Sequence, residues 1–343
     1  MRTIFSPDHA LHHPEQEIAD GMLKPAVEIP VRANMVRDRV EAVGLGPIEP
    51  PRAFERSHLE RVHTADYLDF LEGFWAKWLA AERVHEAFPF AWPVRGLRSD
   101  VVPRHIDGLL GHYSFDAGSP LTAGTWAAAR TGVDVALTAA GIVNSGERSA
   151  FALCRPPGHH AAADYFGGYC FLNNAAIAAA YLRDQGAPRV AILDVDYHHG
   201  NGTQSIFYDR DDVFFCSIHA DPADEYPYFL GYADETGTGA GEGHNLNLPL
   251  ALGTAWPAYA EALGTARKAI DAFGADALVV SLGLDTFEKD PISGFALKNQ
   301  DFLRMGEALA GFDLPTVFIM EGGYAVEDLG INCVNVLTGF EQA

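Results

Sequence analysis

The 343-residue chain is short of cysteine, of positive charge and of long apolar runs. Its four cysteines, Cys154, Cys170, Cys216 and Cys333, stand among apolar neighbours without CxxC spacing. That excludes a disulfide framework and a cysteine zinc site, and leaves reduced core thiols. Lysine and arginine number 24 against 46 acids, a net charge of −22. So acidic a surface repels phosphates, which argues against a nucleic-acid partner and favours a cationic one. No stretch reaches the roughly 18 uninterrupted apolar residues of a membrane span. Met1 to Asp8 carries one basic side chain and no apolar run of signal-peptide length. A cytoplasmic protein without a membrane partner is expected. Repeats and Ser/Gly linkers are also missing, so residues 1–343 read as one domain.

What is present is an alternation of two patterns. Short apolar runs at 3–5, 150–153, 190–193, 213–217, 278–282 and 316–320 read as strands, and Ala-rich periodic stretches at 125–140, 174–184, 257–273 and 302–310 read as helices. The runs near 190, 213, 278 and 316 lack polar alternation, as strands buried on both faces of a parallel sheet do. The fold class is therefore α/β, with an open, mainly parallel sheet between helices. Ser57 and Glu60 read as a capping box opening a helix to about Leu79, and Gly141, Gly186 and Gly274 as helix-ending glycines. Residues 84–120 show no sustained period and read as an inserted loop region, a length of irregular chain that usually serves function. The spacing Gly237, Gly239, Gly241, Gly243 follows acids rather than a strand, so it reads as a surface loop and not a dinucleotide loop.

Six of the 14 histidines stand in tandem, at 12 and 13, 159 and 160, and 198 and 199. The last two pairs follow buried strands, whose C-terminal ends form the ligand crevice of an open parallel sheet. In Asp194-Val195-Asp196-Tyr197-His198, residues two apart share a side of an extended chain. Asp196, His198 and Asp285 make a mixed oxygen and nitrogen set of three ligands, which leaves positions for water and substrate as catalytic sites do. The set suits Zn²⁺, with Fe²⁺ or Mn²⁺ as alternatives. Arg155-Pro156-Pro157-Gly158-His159-His160 holds two imidazoles on a stiff backbone. Taken alone, that pair fits a structural hydrogen-bonding role as well as acid–base work, and Tyr324 after two glycines recurs in ordinary turns.

Arg155 to His160, Asp194 to Gly202, Leu282-Gly283-Leu284-Asp285-Thr286 with Asp290-Pro291, and Glu321 to Tyr324 resemble the four signature stretches of the histone deacetylase superfamily. The resemblance runs from Met1 to about Gly339. Within the superfamily the chain is most similar to the bacterial acetylpolyamine amidohydrolases, through Glu17, the 84–120 insertion, the run from Phe166 to Asn174 and the run from Tyr226 to Tyr232. The resemblance implies the arginase/deacetylase fold in three layers. It implies Asp196, His198 and Asp285 as zinc ligands and His160 as general base and acid. His159 would be its electrostatic partner and Tyr324 the oxyanion donor, with Asp194 orienting His159 and Asn201 holding His160. It further implies Arg32 near an acetate exit, and Tyr169 and Tyr226, with Gly168, as walls of a substrate tunnel. Glu17 and Asp116 are the expected contacts of a distal ammonium. Potassium is expected at Asp194, Asp196, His198, Ser217 and Ile218, and at a second site on Phe207, Arg210 and Val213. The insertion implies a homodimer.

The reaction so implied is hydrolysis of an acetylated polyamine or diamine to acetate and free amine. An acetyl-lysine deacetylase uses the same chemistry on a protein or peptide. An arginase-type di-metal ureohydrolase would need a second Asp two residues after Asp285, where Phe287 stands. A non-catalytic polyamine-binding protein would not need both histidines, the ligand trio and Tyr324.

Overall fold

The computed structural model describes residues 1–343. Along the chain run β1 (Arg2–Ile4), β2 (Gln16–Ala19), β3 (Met22–Pro25), α1 (Val31–Val43), β4 (Ile48–Glu49), α2 (Ala65–Ala80) and α3 (Ile106–His112). Next come α4 (Thr125–Asn144), β5 (Ser149–Ala152), α5 (Asn174–Asp184), β6 (Val190–Asp194), α6 (Asn201–Phe207), β7 (Val213–Ala220) and β8 (Asn245–Leu250). The chain ends with α7 (Trp256–Phe273), β9 (Ala277–Leu282), α8 (Asn299–Ala310), β10 (Thr316–Met320) and α9 (Val326–Gln342).

Eight strands form one parallel sheet in the order β4-β1-β5-β10-β9-β6-β7-β8, and β2 and β3 pair as a separate antiparallel hairpin. Side chains alternate across a strand, so each buried strand feeds two cores. Ala150, Ile192, Val279 and Val317 pack with α2, α4 and α5 on one face; Phe151, Leu193, Val280 and Phe318 pack with α1, α7, α8 and α9 on the other. That two-sided demand explains why these strands carry no polar alternation. No helix is long and apolar enough to cross a membrane.

The helix expected from Ser57 begins later. Residues Arg56–Arg61 form a 3₁₀ segment, and α2 starts after Thr64, whose hydroxyl accepts from the Tyr67 N–H at 3.4 Å. Ser57 and Glu60 are therefore not its capping box. Gly141 does not end a helix either, because α4 continues to Asn144 with Ile142 and Val143 buried. Gly274 does, closing α7 in the left-handed conformation. Residues 84–120 are not wholly irregular, since they hold α3, and Ala87 bridges to Leu121.

Candidate active site

The four neighbouring strands β5, β10, β9 and β6 run parallel, so their C-terminal ends lie side by side and release their loops at one edge. Those loops carry His159 and His160, Glu321 to Tyr324, Asp285, and Asp194 to Asn201 respectively. A cavity of about 460 Å³ opens there, lined among others by His159, His160, His198, Tyr169, Tyr226 and Tyr324.

Asp196, His198 and Asp285 are buried, with one ligand atom of each within 4.8 Å of the others. Backbone amides aim the carboxylates: Asp196 accepts from the N–H groups of His198 at 3.0 Å and Gly322 at 2.8 Å, and Asp285 from that of Tyr197 at 2.9 Å. A Cβ at Gly322 would meet the Asp285 and Asp196 oxygens at 2.4 and 2.6 Å, so only glycine lets the turn after β10 close on them. His198 Nδ1 lies 3.2 Å from Asp285 Oδ2. Burial pushes the Asp285 carboxyl up to about 7, reinforced by Asp196. Burial opposes the charge of His198, yet its hydrogen bonds to Asp196 and Asp285 hold it at about 10. Two dry carboxylates facing one another require a positive charge between them, and oxygen, nitrogen and oxygen donors fit a divalent zinc-like ion.

The two neighbouring imidazoles differ. His159 Nδ1 meets the Asp194 carboxylate at 2.9 Å, whereas His160 Nδ1 meets the neutral amide oxygen of Asn201 at 2.7 Å. Burial works against a charge on His159, but Asp196 and Asp194 outweigh it and raise it to about 10. Burial, then the neighbouring His159 and His198, drive His160 well below its usual value. One ring is thus held cationic and the other neutral, the division that acid–base work requires. Gly168, at φ +55°, lies flat against His160; a Cβ there would meet the ring at 2.2 Å.

Tyr324 closes the far side. Asp290 accepts from its N–H at 2.7 Å, and burial raises its phenol well above the usual range, which keeps the O–H a donor. Arg32 clasps this turn from behind, donating to the carbonyls of Gly323 at 2.6 Å and Glu321 at 2.7 Å, with its guanidinium 4.6 Å from the centre of the Tyr324 ring. The Tyr169 ring lies 5.7 Å from that of Tyr324, and the Tyr226 ring 5.1 Å from that of His160. Glu17 and Asp116 both line the cavity. Burial pushes the Glu17 carboxyl up.

Of the positions expected for potassium, Asp194 stands in register with Ser217 across β6 and β7, and the Ser217 hydroxyl pairs with His219 Nδ1 at 2.8 Å. Ile218 follows in β7. Phe207 ends α6, its carbonyl accepts from the Arg210 N–H at 3.0 Å, and Val213 begins β7.

Two site residues, Glu28 and Glu225, escaped the sequence reading, and Glu321 entered it only as the first residue of a signature stretch. Glu28 bridges the buried Arg32 and Arg155 at 2.8 Å each; its only sequence signal is an acid four residues before an arginine. Glu321 accepts from the N–H groups of Gly158 and His159, bracing the histidine loop. Glu225 lines the cavity beside Tyr226, and no spacing rule marks it.

An amide bond entering this cavity would meet a neutral imidazole, a phenolic donor and a cation-binding trio, the equipment of a hydrolase. The chain belongs to the histone deacetylase family, whose domain matches residues 26–339. It is 59% identical to acetylpolyamine amidohydrolase 2 of Pseudomonas aeruginosa over 341 residues, covering 99% of both chains. With the acetylpolyamine amidohydrolase of Mycoplana ramosa it shares 48% identity over 339 residues, again 99% of both. Among solved structures, the acetylpolyamine aminohydrolase from Burkholderia pseudomallei matches with a TM-score of 0.94 and 40% identity, over 99% of this chain and 98% of that one. The HDA15 HD domain matches at a TM-score of 0.81 and 26% identity, over 98% and 88%. The chain is a hydrolase of the deacetylase class, and its eight-stranded sheet is the deacetylase fold.

Proposed function

We propose that the chain hydrolyses the N-acetyl amide of acetylated polyamines or diamines to acetate and free amine. The observation that carries this reading is the pairing of His159 with a carboxylate and His160 with an amide, opposite the Tyr324 phenol, in a cavity walled by aromatic rings and carboxylates. The acetylpolyamine hydrolases to which the chain is similar along its whole length support the substrate class. Asp196, His198 and Asp285 would hold Zn²⁺, or Fe²⁺ or Mn²⁺ in its place. Such an ion supplies Lewis acidity at the acetyl carbonyl and lowers the pKa of water towards about 7.

The remaining steps belong to the protein. His160, anchored through Nδ1 on Asn201, offers its other ring nitrogen to the attacking water and takes the proton. Tyr324 donates to the oxygen on which negative charge develops, a contact typically worth about 3 kcal/mol. The charge on His159 stabilises the same anion at longer range, and His160 then returns its proton to the leaving amine. Tyr169 and Tyr226 hold the alkyl chain between them, and Glu17 attracts its ammonium end. Potassium at the expected carbonyls would fix the loop after β6. The exposed apolar side chains of the insertion, among them Val84, Phe90, Val94 and Leu97, would be covered in a homodimer.

Parallel kinetics on N-acetylputrescine, N-acetylcadaverine, acetylspermidines and an acetyl-lysine peptide test the reading. The acetylated amines should have the higher kcat/KM. A strong preference for the peptide would instead make the chain a protein deacetylase.

A further inference from the structure

Three carboxylates line the mouth of the cavity, and they differ in how much hydrogen-bonding capacity is left to them. A carboxylate oxygen accepts about two donors. Asp116 has reached that limit on both: Oδ1 accepts from the Gly118 N–H and the Ser119 hydroxyl at 3.0 Å each, and Oδ2 from the Gly168 N–H at 2.6 Å and the Tyr226 hydroxyl at 2.7 Å. Asp116 is therefore a clamp that ties the Gly168 wall to the Tyr226 wall. Glu17 is buried, takes the Val27 N–H at 3.1 Å and sits by the Tyr169 phenol.

Glu225 is different. It is half-buried, with one donor on each oxygen: the Tyr226 N–H on Oε1 at 3.1 Å and the Tyr197 hydroxyl on Oε2 at 2.8 Å. Each oxygen keeps room for one more donor, and the Tyr197 phenol fixes the group in place. Tyr197 is itself packed edge-on against His198, with ring centres 4.9 Å apart. Around Glu225, Tyr228 and Phe229 are exposed, 47% and 88%, offering ring faces of the kind that attract ammonium groups.

We propose that Glu225, on the Tyr226 wall, receives a second ammonium group of the substrate while Glu17, on the Tyr169 wall, receives the first. The site thereby selects acetylated amines with two free cationic centres. This rests on the amide-hydrolysis reading above and names its specificity residue.

The test is kcat/KM for an acetylspermidine, for N-acetylputrescine and for uncharged N-butylacetamide, with the wild type, Glu225→Gln and Tyr197→Phe. Glu225→Gln should lower the acetylspermidine value about ten- to a hundredfold, mainly through KM, as expected for losing a charge-assisted hydrogen bond. Its acetylspermidine to N-butylacetamide ratio should fall by the same factor. Tyr197→Phe keeps the carboxylate and should keep that ratio, which separates charge recognition from disturbed packing. Equal losses on all three substrates, or an unchanged KM for acetylspermidine, would overturn the proposal alone. A wild type that hydrolyses none of the acetylated amines overturns the functional reading and this site with it.

Discussion

His160 is anchored on the side-chain oxygen of Asn201 at 2.7 Å, while its sequence neighbour His159 is anchored on the carboxylate of Asp194 at 2.9 Å. Burial and the neighbouring His159 and His198 keep His160 neutral; the Asn201 hydrogen bond works against them, but an amide stabilises an imidazolium less than a carboxylate would. Asn201→Asp should therefore raise the basicity of His160. The neutral base then becomes scarcer at a given acidic pH, and the acid limb of the kcat/KM profile moves to higher pH. An acid limb that stays put would remove His160 from the role of base.

Tyr324→Phe deletes one O–H and little else, since Asp290 holds the backbone and Arg32 the turn. Turnover should fall about a hundred- to a thousandfold, with KM changing far less, because the donor acts on charge that appears only in the transition state. Turnover near that of the wild type would reassign the oxyanion donor.

Removal of metal should abolish acetate release, and added Zn²⁺ should restore it. Asp285→Asn, which replaces one charged ligand of the buried trio, should purify with well under one zinc per chain by elemental analysis. Full zinc content in that variant would place the ion elsewhere.

Acid should destabilise the fold through His63, a buried histidine outside the ligand trio. His63 Nε2 accepts the Asn173 N–H at 3.0 Å and its Nδ1–H donates to the Ala162 carbonyl at 2.8 Å, so the ring is neutral in this tautomer. Burial lowers it to about 4. A group depressed from 6.5 contributes stability that is present above pH 6.5 and lost as pH falls towards 4. His63 alone should remove about 2 kcal/mol between pH 7.5 and 5. Urea unfolding at both pH values checks this: His63→Asn should show a pH loss smaller by about that amount, and equal losses would contradict it.

The sheet's centre was legible because β5, β6, β9 and β10 are largely apolar runs without polar alternation, each followed within a few residues by chemistry-bearing ones. The run at 316–320 coincides with β10 and the stretch at 174–184 with α5. α1 escaped because its charged sequence has a weak apolar stripe; its helix depends on Ala33, Val36 and Val40 packing under α9. β8 escaped because Asn245 and Asn247 are polar residues buried in a strand, held by Gln204 and Glu235, partners far off in the chain. The 201–207 helix hid behind Asn201-Gly202, which alone reads as a turn. Within the site, motif spacing found the trio, both histidines and Tyr324. It could not find Glu225, or that Asp116 is saturated, because both follow from which donors come near in space.

The position of β10 between β5 and β9 has a consequence for biosynthesis. The sheet is not extended outward as the chain grows; its middle cannot close until β10, the last strand of the chain, has been made. During translation, therefore, the histidine loop after β5 and the Asp285 loop after β9 have no common floor until residues 316–320, which lie between those two strands in the sheet, have left the ribosome. Loss of the C-terminal segment would split the sheet through the site itself, so a prematurely terminated product could not remain a partly active enzyme.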